Sequence, residues 1–487
     1  MIADHLSRRA WFQRTATGVQ ATALTWLLHQ EGLGLAESSS PTQNVPPYHL
    51  QPRPTHHTPR ANAMIHLFMN GGPSQMDLFD PKPVLNRHHG EDYFENISGE
   101  VENPEAAGKL MRSPFTFKQH GNSGCWMSDA MPFLSQCADD LAVIRSLFTT
   151  NLTHEPALYK IHSGQTFPGL PTLGAWVSYG LGTINQNLPS YIVLDDPLGL
   201  PVNQTQNWQS GFLPPHYQGT RFRSTGDPVL NLRREFQEPE KVTKLERTLI
   251  KQLDEFHRSL HPGQLQLDAR ITSYELAARM QLSAANVLDL SSETQATLDM
   301  YGIGQKATDS YGRRCLYARR LIERGVRFVQ LFINFQIWDN HTNLASGLKA
   351  ACEKTDQPIA ALLKDMKQRG LLDSTLVVWG GEFGRLPIAQ LPGDKDEKKA
   401  GRDHNKNAMV SWMAGGGIQG GISYGNTDEL GLRAVENRVS VPDWHATILH
   451  QLGLDHEILN FPRNGLKERL SGVYPARVIS EILHTPA

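Results

Sequence analysis

Six short apolar runs punctuate the chain: Met64–Met69, Leu141–Arg145, Ser190–Leu194, Val326–Ile333, Ser374–Trp379 and Met409–Ala414. Runs of this length, bounded by polar or Gly/Pro-containing stretches, are the pattern of strands buried on both faces. The first ends in Asn70-Gly71-Gly72-Pro73, as a strand feeding a tight loop does. With helical stretches between most of the runs, the pattern predicts an α/β fold, a mostly parallel sheet with helices on both faces. One block is different in kind. Between Pro239 and Leu260, Val242, Leu245, Leu249, Leu253, Phe256 and Leu260 recur at spacings of three and four, one apolar helical stripe expected to pack against the sheet. A second helix is predicted over Ser273–Leu288.

The 487 residues allow about three domains or one large α/β core with insertions. With 39% hydrophobic and 20% charged residues, disorder over most of the chain is excluded. Lys and Arg number 47 against 49 Asp and Glu, a formal net charge of -2, which gives no electrostatic footprint for nucleic acid or an anionic membrane. Cys125, Cys137, Cys315 and Cys352 form no C-x-x-C pair, so a zinc ribbon or thioredoxin motif is excluded, while disulfides and buried thiols both stay open.

Ser7-Arg8-Arg9-Ala10-Trp11-Phe12 precedes a mildly apolar stretch, Thr15–Leu28, interrupted by Gly18 and Gln20. That stretch is far short of the ~20 apolar residues of a spanning helix, so no stable membrane span is expected. Paired arginines, an aromatic pair and a weakly hydrophobic run resemble a twin-arginine leader, which implies the twin-arginine export machinery as a partner and a periplasmic or otherwise extracytoplasmic location. The expected organisation is a signal over 1–36, a Pro-, Thr- and His-rich linker over 37–60, and a domain over 61–487 with a helical insertion near 230–300.

Open parallel sheets bind ligands beyond the carboxyl ends of their strands. The first strand delivers Asn70, with Ser74 and Asp77 close behind; Val326–Ile333 leads to Asp339 and His341; Ser374–Trp379 runs into Glu382 and Arg385; and Asp403 and His404 precede the strand at Met409. Oxygen and imidazole groups collected from separate strand ends suit a divalent ion such as zinc or manganese acting on a phosphoryl-like oxygen.

Asn70-Gly71-Gly72-Pro73-Ser74-Gln75-Met76-Asp77, the Asn151–Ala157 segment, Tyr311–Gln330, Gly381-Glu382-Phe383-Gly384-Arg385 and Gly401-Arg402-Asp403-His404-Asn405 together resemble the domain of unknown function 1501 family, over nearly everything after the linker. The resemblance implies a sulfatase-like protein with an alkaline phosphatase-like core. It implies metal ligands at Asn70, at Asp339 with His341, at Glu382 and at His404, holding zinc, manganese or calcium. Phe383 stands where relatives carry a ligating histidine, so one ion shared by Asp339, His341, His404 and Glu382 is expected.

The sulfatase pattern C/S-x-P-x-R occurs nowhere in the chain. Counting ten residues back from Gly164 sets His154 at its cysteine and Pro156 at its proline, with Leu158 replacing the arginine. The formylglycine mechanism is therefore not inherited. Thr153 or Ser74 is the candidate nucleophile, the alternative being a metal-bound hydroxide with His154 as general base or acid, and Arg385 is a further catalytic candidate. A helix start at His154 is expected to depress its pKa and keep it neutral. Asn203, Gln204, Trp208, Arg221 and their neighbours in Pro201–Arg223 suit a polar substrate such as a sugar. The expected function is hydrolysis of phosphate or sulfate esters of a small molecule or polysaccharide; the alternative is an inactive relative that binds polysaccharide or a cell-surface partner.

Overall fold

The computed structural model describes residues 50–224, 229, 239–262 and 264–484. The proposed signal and the first part of the proposed linker lie outside these residues, as do parts of the insertion. Nine strands form the central sheet: β1 (Ala63–Phe68), β2 (Leu141–Phe148), β3 (Tyr191–Leu194), β4 (Thr220–Phe222), β5 (Phe328–Phe332), β6 (Thr375–Gly380), β7 (Met409–Ala414), β8 (Ile422–Tyr424) and β9 (Val439–Ser440). Their order is β8-β2-β7-β6-β1-β5-β3-β4, with β9 also pairing β2. Every residue of β1 is buried, between β5 in parallel register (Met64 opposite Phe328) and β6 (Phe68 opposite Gly380). All six apolar runs contribute strands to this sheet, because strands covered on both faces carry mostly apolar side chains in succession.

The longer helices are α1 (His154–Ser163), α2 (Leu173–Leu181), α3 (Glu240–Leu260), α4 (Leu265–Leu288), α5 (Asp309–Glu323), α6 (Leu344–Gln368) and α7 (Val441–Gln451). The start of α7 is fixed by a capping box in which Ser440 Oγ accepts from Asp443 N and the Asp443 carboxylate accepts from Ser440 N. Among the described residues no helix is long and apolar enough to cross a membrane.

Four features differ from the expectation. First, β7 runs antiparallel to both β6 and β2. The residues before it therefore lie at the same sheet edge as the carboxyl ends of β1, β2, β5 and β6. Second, the α3 stripe does not meet the sheet: Val242, Leu245, Leu249, Leu253, Phe256 and Leu260 are 39–63% exposed. The helix meets α4 instead through polar groups, Arg258 Nε to Asp268 Oδ1 at 2.7 Å and Arg247 Nη2 to the Ala278 carbonyl at 3.4 Å. Third, α4 begins at Leu265, before the predicted Ser273. Fourth, the end of the proposed linker is docked, with Arg53 N on the Leu181 carbonyl (2.9 Å), Arg60 N on the Gln451 carbonyl (2.9 Å) and Leu50 buried. All four cysteines are buried free thiols.

A polar cluster lies in the core between β1, α1 and β5. His66 of β1, His162 of α1 and Gln330 of β5 are buried together, and the Gln330 amide lies 3.3 and 3.4 Å from the two imidazoles. Burial, assisted by His445, lowers the His66 pKa to about 3, so the cluster is packed as neutral rings.

Candidate metal centre

Five chain segments converge at the edge where β1, β2, β5 and β6 end. The loop after β1 carries Asn70 and turns through two glycines at positive φ (109° at Gly71, 77° at Gly72). A Cβ on Gly71 would stand 2.6 Å from Asp339 N, and one on Gly72 2.5 Å from the Phe383 ring, so both positions require glycine twice over. The loop after β2 delivers Thr153 and His154 at the start of α1. The loop after β5 brings Asp339 and His341. Gly384–Arg385, after β6, pairs antiparallel with His404–Asn405, and this short ladder sets Arg385 opposite His404.

Asp339 is the hub. Its Oδ1 lies 2.9 Å from His341 Nε2, 3.1 Å from His404 Nε2 and 2.6 Å from Arg385 Nη2, and its Oδ2 lies 3.2 Å from His154 Nε2. One ligand atom from each of His154, Asp339, His341 and His404 falls in a group within 4.8 Å of one another. Burial alone would favour a neutral Asp339, but Arg385 and the hydrogen bonds from His154, His341 and His404 hold its carboxyl well below the usual carboxylate range. For His154, burial opposes the charged form, yet the hydrogen bonds to Asp339 and Glu382 and the charges of both carboxylates raise its pKa to about 9. This reverses the expected depression by the helix start, because two carboxylates in contact outweigh a backbone dipole. His341 is raised too, burial again opposing and Asp339 supporting the charge.

Each imidazole turns Nε2 toward Asp339 and meets an oxygen at Nδ1. His154 Nδ1–H donates to Glu382 Oε1 (2.8 Å), His341 Nδ1–H donates to Gln390 Oε1, and His404 Nδ1 rests against the Glu102 carboxylate. With the outward N–H held by its acceptor, Nε2 is the nitrogen that, on giving up its proton, carries the lone pair a cation needs. The donor set, one carboxylate oxygen and imidazole nitrogens, suits a zinc-like or manganese-like ion.

The remaining expected residues are placed differently. Glu382 is fully buried behind His154, its Oε1 also accepting from Gly71 N at 2.9 Å and its Oε2 without a hydrogen-bond partner among the described residues. Asn70 donates through Nδ2 to the Ile333 carbonyl, and its buried Oδ1 likewise has no such partner. Arg385, expected to be catalytic, is buried with its donors committed: Nε to the Gly72 carbonyl, Nη1 to the Arg402 carbonyl, and Nη2 to the Gly71 carbonyl and Asp339. It positions Asp339 and the glycine loop and turns no free N–H outward. Ser74, one of the candidate nucleophiles, is buried on Asp77, whose carboxylate forms a fully buried ion pair with Arg402 (2.7 Å). Thr153 is exposed at the helix start, and its side chain makes no capping bond. Phe383 packs its ring 4.2 Å from that of His404 and 4.8 Å from that of His154.

Two contributors had no signal in the sequence. Gln390 ends a three-residue strand, Ile388–Gln390, and Glu102 lies in the long excursion between β1 and β2. A cleft of about 800 Å³ lined by Phe212, Arg270, Tyr274, Phe461 and Arg463 contains none of these groups; the chemistry, not the size of a hollow, marks the centre.

Among curated proteins none matches the chain. Solved structures that match include the lipoteichoic acid synthase LtaP from Listeria monocytogenes, at 9% identity over 82% of this chain and 74% of that one, TM-score 0.37. The PsFucS1 sulfatase from Pseudoalteromonas sp. matches at 10% identity over 82% and 69%, TM-score 0.37. The alkaline phosphatase from the Antarctic bacterium TAB5 matches at 12% identity over 74% and 92%, TM-score 0.28. The family model described as protein of unknown function (DUF1501) matches residues 61–483, so the chain belongs to the DUF1501 family.

Proposed function

We propose that the protein is a metal-dependent hydrolase of phosphate or sulfate esters. The observation that carries this is the meeting of Asp339, His341, His404 and His154 in one group at the strand ends. The histidines divide two and one. His341 and His404 share Asp339 Oδ1, whereas His154 meets Oδ2. Asp339, His341 and His404 hold the ion in this reading, and three protein ligands leave a position open, as catalytic sites require. When bound, the ion supplies Lewis-acid polarisation of an ester oxygen.

His154 is the proton carrier. Glu382 holds its Nδ1–H and keeps Nε2 facing the site, and in the ion-free protein the two neighbouring carboxylates favour the charged ring. As the bond from phosphorus or sulfur to the leaving oxygen breaks, Nε2 gives that oxygen its proton while water supplies the new oxygen, and the proton that this water releases returns His154 to its charged form. The start of α1 presents backbone N–H groups to the anionic ester. Thr153, beside His154, is exposed to solvent.

The test is the metal content of purified full-length protein together with turnover of nitrophenyl phosphate and nitrophenyl sulfate. A stoichiometric ion with turnover of either ester supports the reading. Protein with neither ion nor turnover supports the second reading, a binding relative, which Phe383 at the ligand position favours. The same proposal has the protein exported by the twin-arginine machinery to an extracytoplasmic site, acting on a small-molecule or polysaccharide ester. Replacing Arg8 and Arg9 by Lys is then expected to retain it in the cytoplasm, and unchanged export would remove that part.

A further inference from the structure

An imidazole ligates only through the ring nitrogen that carries no proton, and which nitrogen that is depends on what the other one meets. At the centre described above, two of the three outward acceptors are buried in the fold: Glu382 behind His154 and Gln390 beside His341. The third is not. The group in contact with His404 Nδ1 is Oε2 of Glu102, whose side chain is 34% exposed.

Glu102 is held there by its own backbone. Asp403 Oδ2 accepts from Glu102 N and from Asn103 N, both at 3.0 Å, while Asp403 Oδ1 accepts from His404 N at 2.8 Å. One buried carboxylate thus clamps the Glu102 segment against the backbone of the histidine it serves. Two residues earlier, Glu100 pairs with Lys406 at 3.1 Å and Arg433 at 3.3 Å, tying the same segment to the chain just beyond His404. Glu102, Asp403 and His404 also lie within 4.8 Å of one another. With Asp403 committed to three backbone N–H groups, this trio is suited to fixing a ligand and not to holding an ion of its own.

We infer that Glu102 is a positioning residue for the ion site: it accepts a hydrogen bond from His404 Nδ1–H and so aims the Nε2 lone pair at the Asp339 side. The inference rests on the proposal that Asp339, His341 and His404 are ligands. It makes the ion affinity depend on a segment that carries none of the ligands and lies on the surface excursion between β1 and β2. Loss of such an outer partner lowers metal affinity about 10- to 100-fold.

The full chain, stripped with a chelator, is titrated with zinc alone in competition with a chromophoric chelator, as wild type, Glu102→Ala and Glu102→Gln. Glu102→Ala is expected to bind zinc roughly 10- to 100-fold more weakly, and Glu102→Gln, whose amide oxygen accepts the same N–H, to recover most of the loss. Nitrogen-15 shifts of the His404 ring report the second readout: zinc on Nε2 with the proton on Nδ1 in wild type, and mixed ring states in Glu102→Ala. Unfolding temperatures of the metal-free proteins are expected to agree, because the Asp403 clamp holds backbone and survives both substitutions. Wild-type affinity in Glu102→Ala overturns the inference. So does an equal loss in both variants accompanied by lowered unfolding temperatures, the result of a merely structural role. A wild type that takes up no zinc overturns the ligand reading beneath it as well, and is distinguished by failing before any variant is compared.

Discussion

His154 Nε2 and Asp339 Oδ2, 185 residues apart in the chain, lie 3.2 Å apart at the sheet edge, and the other ring nitrogen of His154 is bonded to Glu382. The ring is held between two carboxylates and beside, not between, the two histidines on Asp339 Oδ1. That arrangement separates its role from theirs. His341→Ala and His404→Ala are each expected to lose the ion, measured by metal analysis after gel filtration. His154→Ala is expected to keep the ion and lose about 10²- to 10⁴-fold in turnover of a nitrophenyl ester. Loss of the ion in His154→Ala makes it a fourth ligand instead.

The raised pKa of His154 predicts a pH dependence with a definite sign. The group binds its proton more tightly folded, with a pKa of about 9 against 6.5 unfolded. Its contribution to the stability of the metal-free protein is therefore fully present below about pH 6.5 and is lost as the pH rises through 9. At most about 3 kcal/mol is involved. Urea unfolding of chelator-treated protein between pH 6 and 10 is expected to show this loss in wild type and not in His154→Gln; parallel curves would count against the charged ring.

Arg402 and Asp77 form an ion pair with no exposure on either side chain, joining the loop after β1 to the loop before β7. Removing one partner strands a buried charge. Arg402→Ala is expected to destabilise the protein by about 3–5 kcal/mol, read from denaturant midpoints.

The stripe on α3 is exposed, so substitution there is expected to be nearly silent. Leu245→Gln and Leu260→Gln should each change unfolding free energy by less than about 0.5 kcal/mol. Leu331→Ala, in the middle of buried β5, should cost about 2–5 kcal/mol by the same measurement. A large effect at Leu245 would show that the stripe is covered in the folded protein.

The strands were legible because burial on both faces writes itself into consecutive residues. Met64–Met69 can hardly be read otherwise. The glycines at 71 and 72 also announce a tight loop, and Asp339, His341 and Glu382 follow the strands that end at Phe332 and Gly380. Much of the centre was visible for that reason. The α3 stripe shows where such reading stops: periodicity reveals that a helix has an apolar face, not what that face meets.

Local pattern determined which segments become strands and helices and which polar residues stand at their ends, since these depend on a residue and its near neighbours. Only the tertiary structure decided the rest. The antiparallel direction of β7 brings His404, which precedes its strand, to the edge where Asp339 follows one. Two carboxylates set the charge of His154 against the helix dipole. Arg385, which in sequence projects beside Glu382, is turned inward by four backbone carbonyls and Asp339. Glu102 reaches His404 across 302 positions of chain through a clamp on Asp403. Contacts of this range depend on how strands are ordered and which way they run, and no short stretch of sequence contains that information.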